Sequence, residues 1–263
     1  MGQMVEQRQQ SEWVSQWQIF DGKETLFLFQ DWIYPQTLED FRGKKILEGG
    51  CGGGQHTAIM APYATQVTAV DLNTIEVVRQ RLTDVKNVSF VQTDIATMDL
   101  GRDFDIVISI GVVHHTDDPD KTVENLKRHV KKDGTIILWV YSEENNTLVR
   151  FGVEPLRKLL IKHLDRKSVL AFSKVLTVLL YVPVHTIYRL PLKKLPYYEY
   201  FGNFHKLSFN RNFLNVFDKL NAPQVVFLSQ ERVKSWFKDG EFELIHLSLY
   251  KGISWRVSAR RRD

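Results

Sequence analysis

Apolar runs alternate with amphipathic stretches along the chain from residue 44 onward. The runs have the length of buried strands and end at polar or glycine-containing turns; they lie at 44–47, 66–70, 88–93, 104–110 and 135–141. Segments with helical periodicity fall between them, at 55–64, 74–82 and 120–130. The fourth run is apolar at most positions, as expected of a strand covered on both faces. The alternation predicts an α/β fold with a mostly parallel sheet and helices on both faces.

The first strand leads into the densest glycine cluster of the chain. Residues 49–54 contain five glycines, interrupted only by Cys51. Glycine permits positive φ and lets a ligand approach the main chain and the start of the next helix. The dinucleotide pattern G-x-G-x-x-G fails, because its last glycine, counted from Gly50, is replaced by Gln55. An acidic-x-Gly-x-Gly-x-Gly pattern is met instead, by Glu48, Gly50, Gly52 and Gly54.

This pattern resembles the first motif of the class I S-adenosylmethionine-dependent methyltransferases. In that family the loop surrounds the methionine and ribose portion of the cofactor, which has no phosphate, and the acidic residue lies near its cationic end. The chain departs from the family pattern at Glu48, where Asp is commoner, and in the extra Gly49. The resemblance implies a Rossmann-like methyltransferase fold, a seven-stranded sheet of order 3-2-1-4-5-7-6, and S-adenosyl-L-methionine as the cofactor.

Two carboxylates follow the next two strands. Asp71 ends the second strand, where a carboxylate can accept hydrogen bonds from both ribose hydroxyls; alternatively it caps the helix predicted after it. Asp94 and Ile95 match a pair that, in the family, faces the adenine amino group and packs on its ring. The end of the fourth strand would line the methionine side. The predicted cofactor contacts are therefore Glu48, Gly50, Cys51, Gly52, Asp71, Leu72, Asp94, Ile95, Ile110 and Gly111.

Two later segments also resemble the family. Gly-Val-Val-His-His, starting at Gly111, resembles the loop after its fourth strand, and residues 131–134 resemble the turn before its fifth. A histidine can act as general base on a substrate hydroxyl or amine. Loop neighbours point different ways, so at most one of His114 and His115 would face the substrate; both are candidate catalytic residues. Methyl transfer can also proceed without a base, because the sulfonium is already electrophilic and orientation supplies much of the acceleration.

The first forty residues predict an N-terminal helical lid. Seven aromatic residues lie on either side of its Asp21-Gly22 pair: Trp13, Trp17, Phe20, Phe27, Phe29, Trp32 and Tyr34. Two roles are open for them. The lid packs on the sheet edge, or some of the aromatic side chains close over the cofactor or the substrate.

The fifth strand is followed by far more chain than a short crossover needs. We divide the protein into a cofactor-binding core, residues 41–142 and 217–258, and a helical insert, residues 143–216, that forms a cap or substrate region. Residues 154–200 contain nine Lys and Arg against three Asp and Glu, a net charge of +6, whereas the whole chain carries +4. The basic character is therefore local to the insert.

Three interpretations of the insert are open. It is a helical cap over the sheet, a pocket for a bulky or anionic acceptor, or a basic amphipathic segment that makes peripheral contact with a membrane. Val175, Leu176, Leu179 and Leu180 share one predicted helical face. A spanning helix is not expected, since the most apolar stretch contains Lys174, Pro183 and His185.

The stretch after the insert's prolines is dense in aromatic and hydroxyl side chains. Such residues, interleaved with polar ones, suit a selective small-molecule pocket. The candidate substrate contacts are Tyr198, Tyr200, His205, Arg211 and Asp218, each of which could instead have an ordinary surface or capping role. Farther on, Ser229 is predicted to cap the last helix, and residues 242–257 to form a final hairpin. This C-terminal part also resembles that of some bacterial small-molecule methyltransferases.

Composition and residue counts also bear on the cellular compartment and on the kinds of ligand that the protein binds. A hydrophobic content of 43% and a charged content of 25% are those of a globular protein. Cys51 is the only cysteine, which excludes an internal disulfide and fits a reducing compartment. Because residues 1–18 show no signal-peptide pattern, a cytoplasmic location is expected. The paired histidines have no third ligand at a recognisable spacing, so no metal site is expected. Nucleic-acid binding is not expected either, since no reader module is recognisable.

Together these features predict an S-adenosylmethionine-dependent methyltransferase. Its acceptor would be a small molecule with an oxygen, nitrogen or carbon nucleophile. Two alternatives stay open. An NAD-dependent oxidoreductase would share the fold and Asp71 but not the glycine spacing. A catalytically inactive cofactor-binding scaffold would keep the site and lack the reaction.

Overall fold

The computed structural model describes residues 25–159, 161, 164–221 and 224–263. Trp13, Trp17 and Phe20 of the predicted lid, with the rest of residues 1–24, lie outside the described residues. The chain divides into two compact units. Unit 1 contains the described residues up to Tyr141, with Gln224–Ser248 and Trp255–Asp263; unit 2 contains Ser142–Pro223 and Leu249–Ser254. The predicted insert, residues 143–216, falls within unit 2.

Unit 1 is built on a seven-stranded sheet. In chain order the strands are β1 (Lys45–Gly49), β2 (Gln66–Asp71), β3 (Val88–Gln92), β4 (Phe104–Ile110), β5 (Val130–Tyr141), β6 (Phe242–Tyr250) and β7 (Ser254–Arg261). Their spatial order, β3-β2-β1-β4-β5-β7-β6, confirms the predicted order. β1 to β5 pair in parallel. β6 and β7 are neighbours joined only by residues 251–253, so they run antiparallel.

The helices follow the predicted alternation with the strands. In chain order they are α1 (Thr25–Ile33), α2 (Gln55–Met60), α3 (Ile75–Arg81), α4 (Pro119–Arg128), α5 (Glu154–Leu159), α6 (Arg166–His185), α7 (Tyr198–Phe204), α8 (Phe209–Asn221) and α9 (Gln230–Ser235). α2 is shorter than the predicted 55–64, because Pro62 has no N–H with which to continue the helical hydrogen bonds. Ser229 caps α9 as predicted, since its side chain accepts a hydrogen bond from the Arg232 N–H.

The prediction of a turn at residues 131–134 is wrong. These residues lie inside β5, where the pairing with β4 shifts from Phe104 opposite Val130 to Ile106 opposite Thr135. The extra residues on β5 form an irregularity in the ladder, and Asp133 there has a φ of 60°. The Asp-Gly pair therefore bends the strand instead of ending it.

The core of unit 1 joins α1 to the sheet. Phe29 and Ile33 are fully buried in one cluster with Ile46 of β1 and Ile108 of β4. Trp32 is partly buried against the same cluster. In the described part of the predicted lid, α1 packs on the central strands β1 and β4 and not on the sheet edge. The second role, that aromatic side chains close over a ligand, stays a prediction.

Unit 2 is helical and has its own core. Asp165 caps α6 by accepting a hydrogen bond from the Ser168 N–H. Val169 of α6 is buried with Val216 and Phe217 of α8. The segment 249–254 is held in this unit because Ile253 O accepts hydrogen bonds from Ser142 N at 3.0 Å and from Asn146 Nδ2 at 2.9 Å.

Candidate cofactor site

The glycine loop between β1 and α2 depends on positive φ angles. Gly50, Gly52 and Gly54 have φ of 82°, 54° and 78°, a region that other residues rarely adopt. Space is also limited: a Cβ on Gly50 would lie 2.5 Å from both methyl groups of Val112, and one on Gly54 would lie 2.6 Å from Val78. The loop after β4 therefore packs directly against the glycine loop, and both lie at the carboxyl ends of neighbouring strands, where ligands bind in open α/β sheets.

Asp71 holds the glycine loop in place. Its Oδ2 accepts a hydrogen bond from Gly52 N at 3.0 Å, and its Oδ1 accepts from Asn73 N at 2.9 Å and Thr74 N at 3.1 Å. Asp71 is not the helix cap of the alternative prediction, because Thr74 is the N-cap of α3 and Asp71 bonds the turn before it. A carboxylate offers about four acceptor positions, so these three bonds leave one position for a ligand hydroxyl. Leu72 beside it is exposed.

Glu48 lies beneath the loop, not at its surface. Its side chain is buried, Thr57 Oγ1 donates to its Oε2, and His56 Nδ1 lies 3.8 Å from its Oε1. Burial raises the pKa of Glu48 to about 8, with a smaller contribution from the Asp71 charge, against the lowering effect of the Thr57 hydrogen bond. Burial likewise raises the pKa of the Cys51 thiol, which disfavours a thiolate nucleophile. Direct contact of Glu48 with a cofactor stays a prediction.

The two residues predicted to contact adenine, Asp94 and Ile95, differ in exposure. Asp94 is exposed just after β3, and its Oδ1 accepts a hydrogen bond from Ala96 N at 2.8 Å. Ile95 is buried, 3.6 Å from where a Cβ on Gly49 would lie. At the end of β4, Ile110 is buried and Gly111 has a φ of 79°. Asp94 is therefore the member of the pair with more of its side chain accessible.

The two histidines have different surroundings. His114 is fully buried; its Nδ1 accepts from Tyr141 N at 3.4 Å and its ring lies 4.1 Å from that of Tyr141, centre to centre. His115 is half-buried, with Nδ1 at 2.7 Å from Gln224 O. A carbonyl oxygen can only accept, so Nδ1 donates and the neutral ring keeps its lone pair on Nε2. A role as base for either histidine stays a prediction, and His115 has the geometry that suits it.

The segment after unit 2 holds this histidine loop, which the sequence did not reveal. Val226 N donates to His114 O at 2.8 Å, and Gln224 Nε2 donates to Thr116 O at 3.0 Å. More than a hundred residues of chain separate the partners. No local pattern marks such a contact, because it depends on how the sheet brings the two segments together.

Two buried donors near the glycine loop have no hydrogen-bond partner among the described residues. They are Nε2 of Gln55, at the start of α2, and Nε1 of Trp139, on β5. The Trp139 ring lies 3.7 Å from where a Cβ on Gly111 would be, and 5.0 Å from the ring of Trp32, centre to centre. A buried N–H without an acceptor costs about 1–3 kcal/mol. These two groups therefore fit a ligand that brings oxygen acceptors to this edge of the sheet.

Comparison with known proteins decides the family of this segment. Residues 47–138 match the sequence model of a family described as a methyltransferase domain. Residues 47–138 therefore form a methyltransferase domain. The resemblance drawn from the motifs is thereby confirmed over the strands that form the glycine loop, Asp71 and the histidine loop.

Individual relatives of the methyltransferase domain differ in substrate. A ubiquinone biosynthesis O-methyltransferase from Haemophilus ducreyi is 31% identical over 134 residues, 46% of this chain and 56% of that protein. A tRNA U34 carboxymethyltransferase from Alteromonas mediterranea is 27% identical over 41% of this chain and 36% of that protein. The chain thus spans about half the length, or less, of these relatives.

Solved structures confirm the fold around the methyltransferase domain. The 1,6-didemethyltoxoflavin-N1-methyltransferase of Burkholderia thailandensis, solved with its substrate and S-adenosylhomocysteine, matches with a TM-score of 0.53 over 97% of this chain and 87% of that one, at 13% identity. The magnesium protoporphyrin IX methyltransferase of Synechocystis, solved with S-adenosylhomocysteine, matches with a TM-score of 0.53 over 90% and 82%, also at 13% identity. At such identities the similarity concerns the fold alone.

Unit 2, outside the methyltransferase domain, contains the predicted substrate residues in two groups. Tyr198 and His205 line one cavity of about 330 Å³, together with Tyr188, Arg189, Glu199, Gly202, Lys206 and Lys251. Burial lowers the pKa of His205, and the nearby Arg189, Lys206 and His185 charges lower it further. Tyr200 lies instead with Asp218 and Arg211. Burial and the Asp218 charge raise the pKa of its hydroxyl, and the Arg211 charge opposes them.

Proposed function

We propose that this protein is an S-adenosylmethionine-dependent methyltransferase whose acceptor is a small molecule. The observation that carries the proposal is the bond between the glycine loop and Asp71. Gly52 N donates to the Asp71 carboxylate inside a methyltransferase domain, at the sheet edge where β1 and β2 end. The atom that accepts the methyl group is an oxygen, nitrogen or carbon nucleophile, and the proposal does not choose among the three.

The residues around the loop fit an adenosyl cofactor. Asp71 would accept from one ribose hydroxyl at its remaining acceptor position, Leu72 would offer apolar surface, and Asp94 would accept from the adenine amino group. Gln55 Nε2 and Trp139 Nε1, the two buried donors, would meet oxygen acceptors on the methionine side. When bound, S-adenosylmethionine supplies a methyl group on a sulfonium, which is electrophilic without further activation.

His115 is the residue we assign to proton transfer. Its Nδ1 donates to Gln224 O, so Nε2 can take a proton from an acceptor hydroxyl or amine. His114 would act as a positioning residue, because it is buried against Tyr141 and its carbonyl oxygen is held by Val226 N. An acceptor that loses its proton to water would need neither histidine.

The proposal names only the class of the methyl acceptor, a small molecule, and not the compound. The relative named a ubiquinone biosynthesis O-methyltransferase supports a small molecule, whereas the relative named a tRNA U34 carboxymethyltransferase supports a nucleic acid. We favour the small molecule because no nucleic-acid reader module is recognisable in the sequence. The cytoplasmic location remains part of the proposal, on the ground of the single cysteine.

Calorimetric titration of the purified protein with S-adenosylmethionine, S-adenosylhomocysteine and NAD tests the cofactor. We expect both adenosyl ligands to bind in the micromolar range and NAD not to bind. Binding of NAD alone would favour the oxidoreductase alternative and overturn the proposal. A methyl-transfer assay with phenol, amine and tRNA acceptors then separates the acceptor classes, and cofactor binding without transfer to any acceptor would favour the inactive scaffold.

A further inference from the structure

Helix α6 of unit 2 has two apolar faces. The inner face packs in the core of the unit: Val169 is buried, and Leu176 and Leu180 pack against the cluster that contains Phe217 of α8. Ser173 and Thr177 are also buried, and their hydroxyls donate to Val169 O and Ser173 O, both at 2.7 Å. The two buried hydroxyl groups of the inner face are thus bonded within the helix.

The opposite side, which we call the outer face of α6, is apolar and uncovered. Its members and their exposed fractions are Phe172 43%, Val175 56%, Val178 53%, Leu179 66% and Val182 65%. Among the described residues, α6 is the one helix long and apolar enough to cross a membrane, and only 22% of that apolar window is buried. An amphipathic helix of a globular protein normally turns its apolar side to the core, and contiguous exposed apolar surface marks an interaction site.

Positive charges run along one border of the outer face. Lys167 and Lys174 are exposed and seven residues apart, so at 3.6 residues per turn they lie on the same side of the helix. Lys174 and Val178 are four residues apart and are therefore neighbours. The segment 154–200 that contains the helix has a net charge of +6. A partner that binds this face must therefore have an apolar region that the side chains can enter and a negatively charged surface beside it.

We propose that the outer face of α6 docks on the surface of an anionic lipid bilayer, with the helix lying in the interface. The aliphatic side chains and Phe172 would enter the acyl boundary, while Lys167 and Lys174 would reach the headgroups, as long cationic side chains do at such interfaces. The helix does not cross the bilayer, because its inner face is committed to α8 and Lys174 lies near its middle. The inference does not rest on the proposed methyl transfer.

Vesicle sedimentation with the full chain tests the docking. Phosphatidylcholine vesicles with and without phosphatidylglycerol are compared at low and high salt. We expect binding to the anionic vesicles and its suppression by salt. Val175→Glu combined with Leu179→Glu should weaken binding by roughly tenfold or more, since both side chains leave the apolar boundary. Ile245→Glu, at a β6 position 45% exposed, is the matched control and should bind like the unchanged protein.

The charge component has its own variants. Lys167→Gln with Lys174→Gln should weaken binding to anionic vesicles by about fivefold per charge, whereas Lys86→Gln with Lys132→Gln, two exposed lysines of unit 1, should not. Circular dichroism and urea unfolding check that each variant is folded.

Three results would overturn the proposal. The first is no binding to either vesicle. The second is equal binding to neutral and anionic vesicles. The third is a self-associating chain, seen by analytical ultracentrifugation, whose association is lost in the Val175→Glu, Leu179→Glu variant, because the outer face would then meet a second copy.

Discussion

Gly50 offers a test of the contact between the glycine loop and the loop after β4. In Gly50→Ala the new methyl group would meet two obstacles: a φ of 82° and the two Val112 methyl groups at 2.5 Å. The left-handed conformation costs a residue with a Cβ about 1–2 kcal/mol, and overpacking costs about 1–3 kcal/mol. We therefore expect the free energy of unfolding to fall by about 2–5 kcal/mol.

Gly240 is the matched control. It has a similar φ of 87°, and a Cβ there would meet nothing within 4 Å. Gly240→Ala should therefore lower the free energy of unfolding by the conformational cost alone, about 1–2 kcal/mol. Val112→Ala in the Gly50→Ala background removes both methyl groups at 2.5 Å but keeps Cβ at 2.9 Å, so it should restore part of the loss.

Urea unfolding without ligand measures the free energy of unfolding of these three variants and of Val112→Ala alone. The double-mutant cycle between positions 50 and 112 should show a favourable coupling of about 0.5–3 kcal/mol, the range for residues in contact. Equal losses for Gly50→Ala and Gly240→Ala, together with a coupling of zero, would refute the close packing of the two loops.

Three further predictions concern the site itself. Asp71→Ala should weaken binding of S-adenosylhomocysteine by roughly 1–3 kcal/mol, because a ribose hydroxyl would lose its acceptor and Gly52 N its partner. An unchanged affinity by calorimetry would remove Asp71 from the site. Glu48 has its pKa raised to about 8 in the folded protein from an ordinary value of 4.5. The folded state therefore holds the extra proton between these values, and stability should fall as pH rises from about 5 to 8, by up to about 1.4 kcal/mol per pH unit. Glu48→Gln, which keeps an acceptor for Thr57, should flatten that fall in urea unfolding at pH 5 and pH 8, and a persistent slope would show that another group causes it. His114→Ala should lower the melting temperature, since it empties a buried position, whereas His115→Ala should lower turnover with little loss of stability; equal, mild losses of turnover in both would mean that neither is a base.

The sheet and the glycine loop could be predicted because their signals are local. Strand order followed from the family resemblance, and the glycine pattern identified the loop before any contact was known. The positions of Glu48 and Ile95 could not be predicted with the same certainty. Glu48 lies near the end of β1 and Ile95 lies in the turn after β3, where alternation does not say whether a side chain faces the core or the ligand edge. The unpaired donors of Gln55 and Trp139 depend on neighbours from several strands.

Helix α6 shows a second feature that could not be predicted from the sequence, namely which of its apolar residues are buried. Val175, Leu176, Leu179 and Leu180 were expected to share one face, yet the structure separates them: Leu176 and Leu180 pack in the core of unit 2, and Val175 and Leu179 are exposed. Helical periodicity identifies an apolar arc but does not say which half meets a neighbour when the arc is this wide. The partner, α8, lies some forty residues farther along the chain.

The residues of unit 1 on either side of the long segment 142–223 are held close together. Leu228 N donates to Tyr141 O at 3.0 Å, and two residues earlier Val226 N donates to His114 O. A segment whose ends are pinned side by side can change length at little cost, since each doubling of a closed loop adds only about 0.6 kcal/mol. The chain can therefore lengthen, shorten or replace this segment while the methyltransferase domain and its glycine loop stay unchanged.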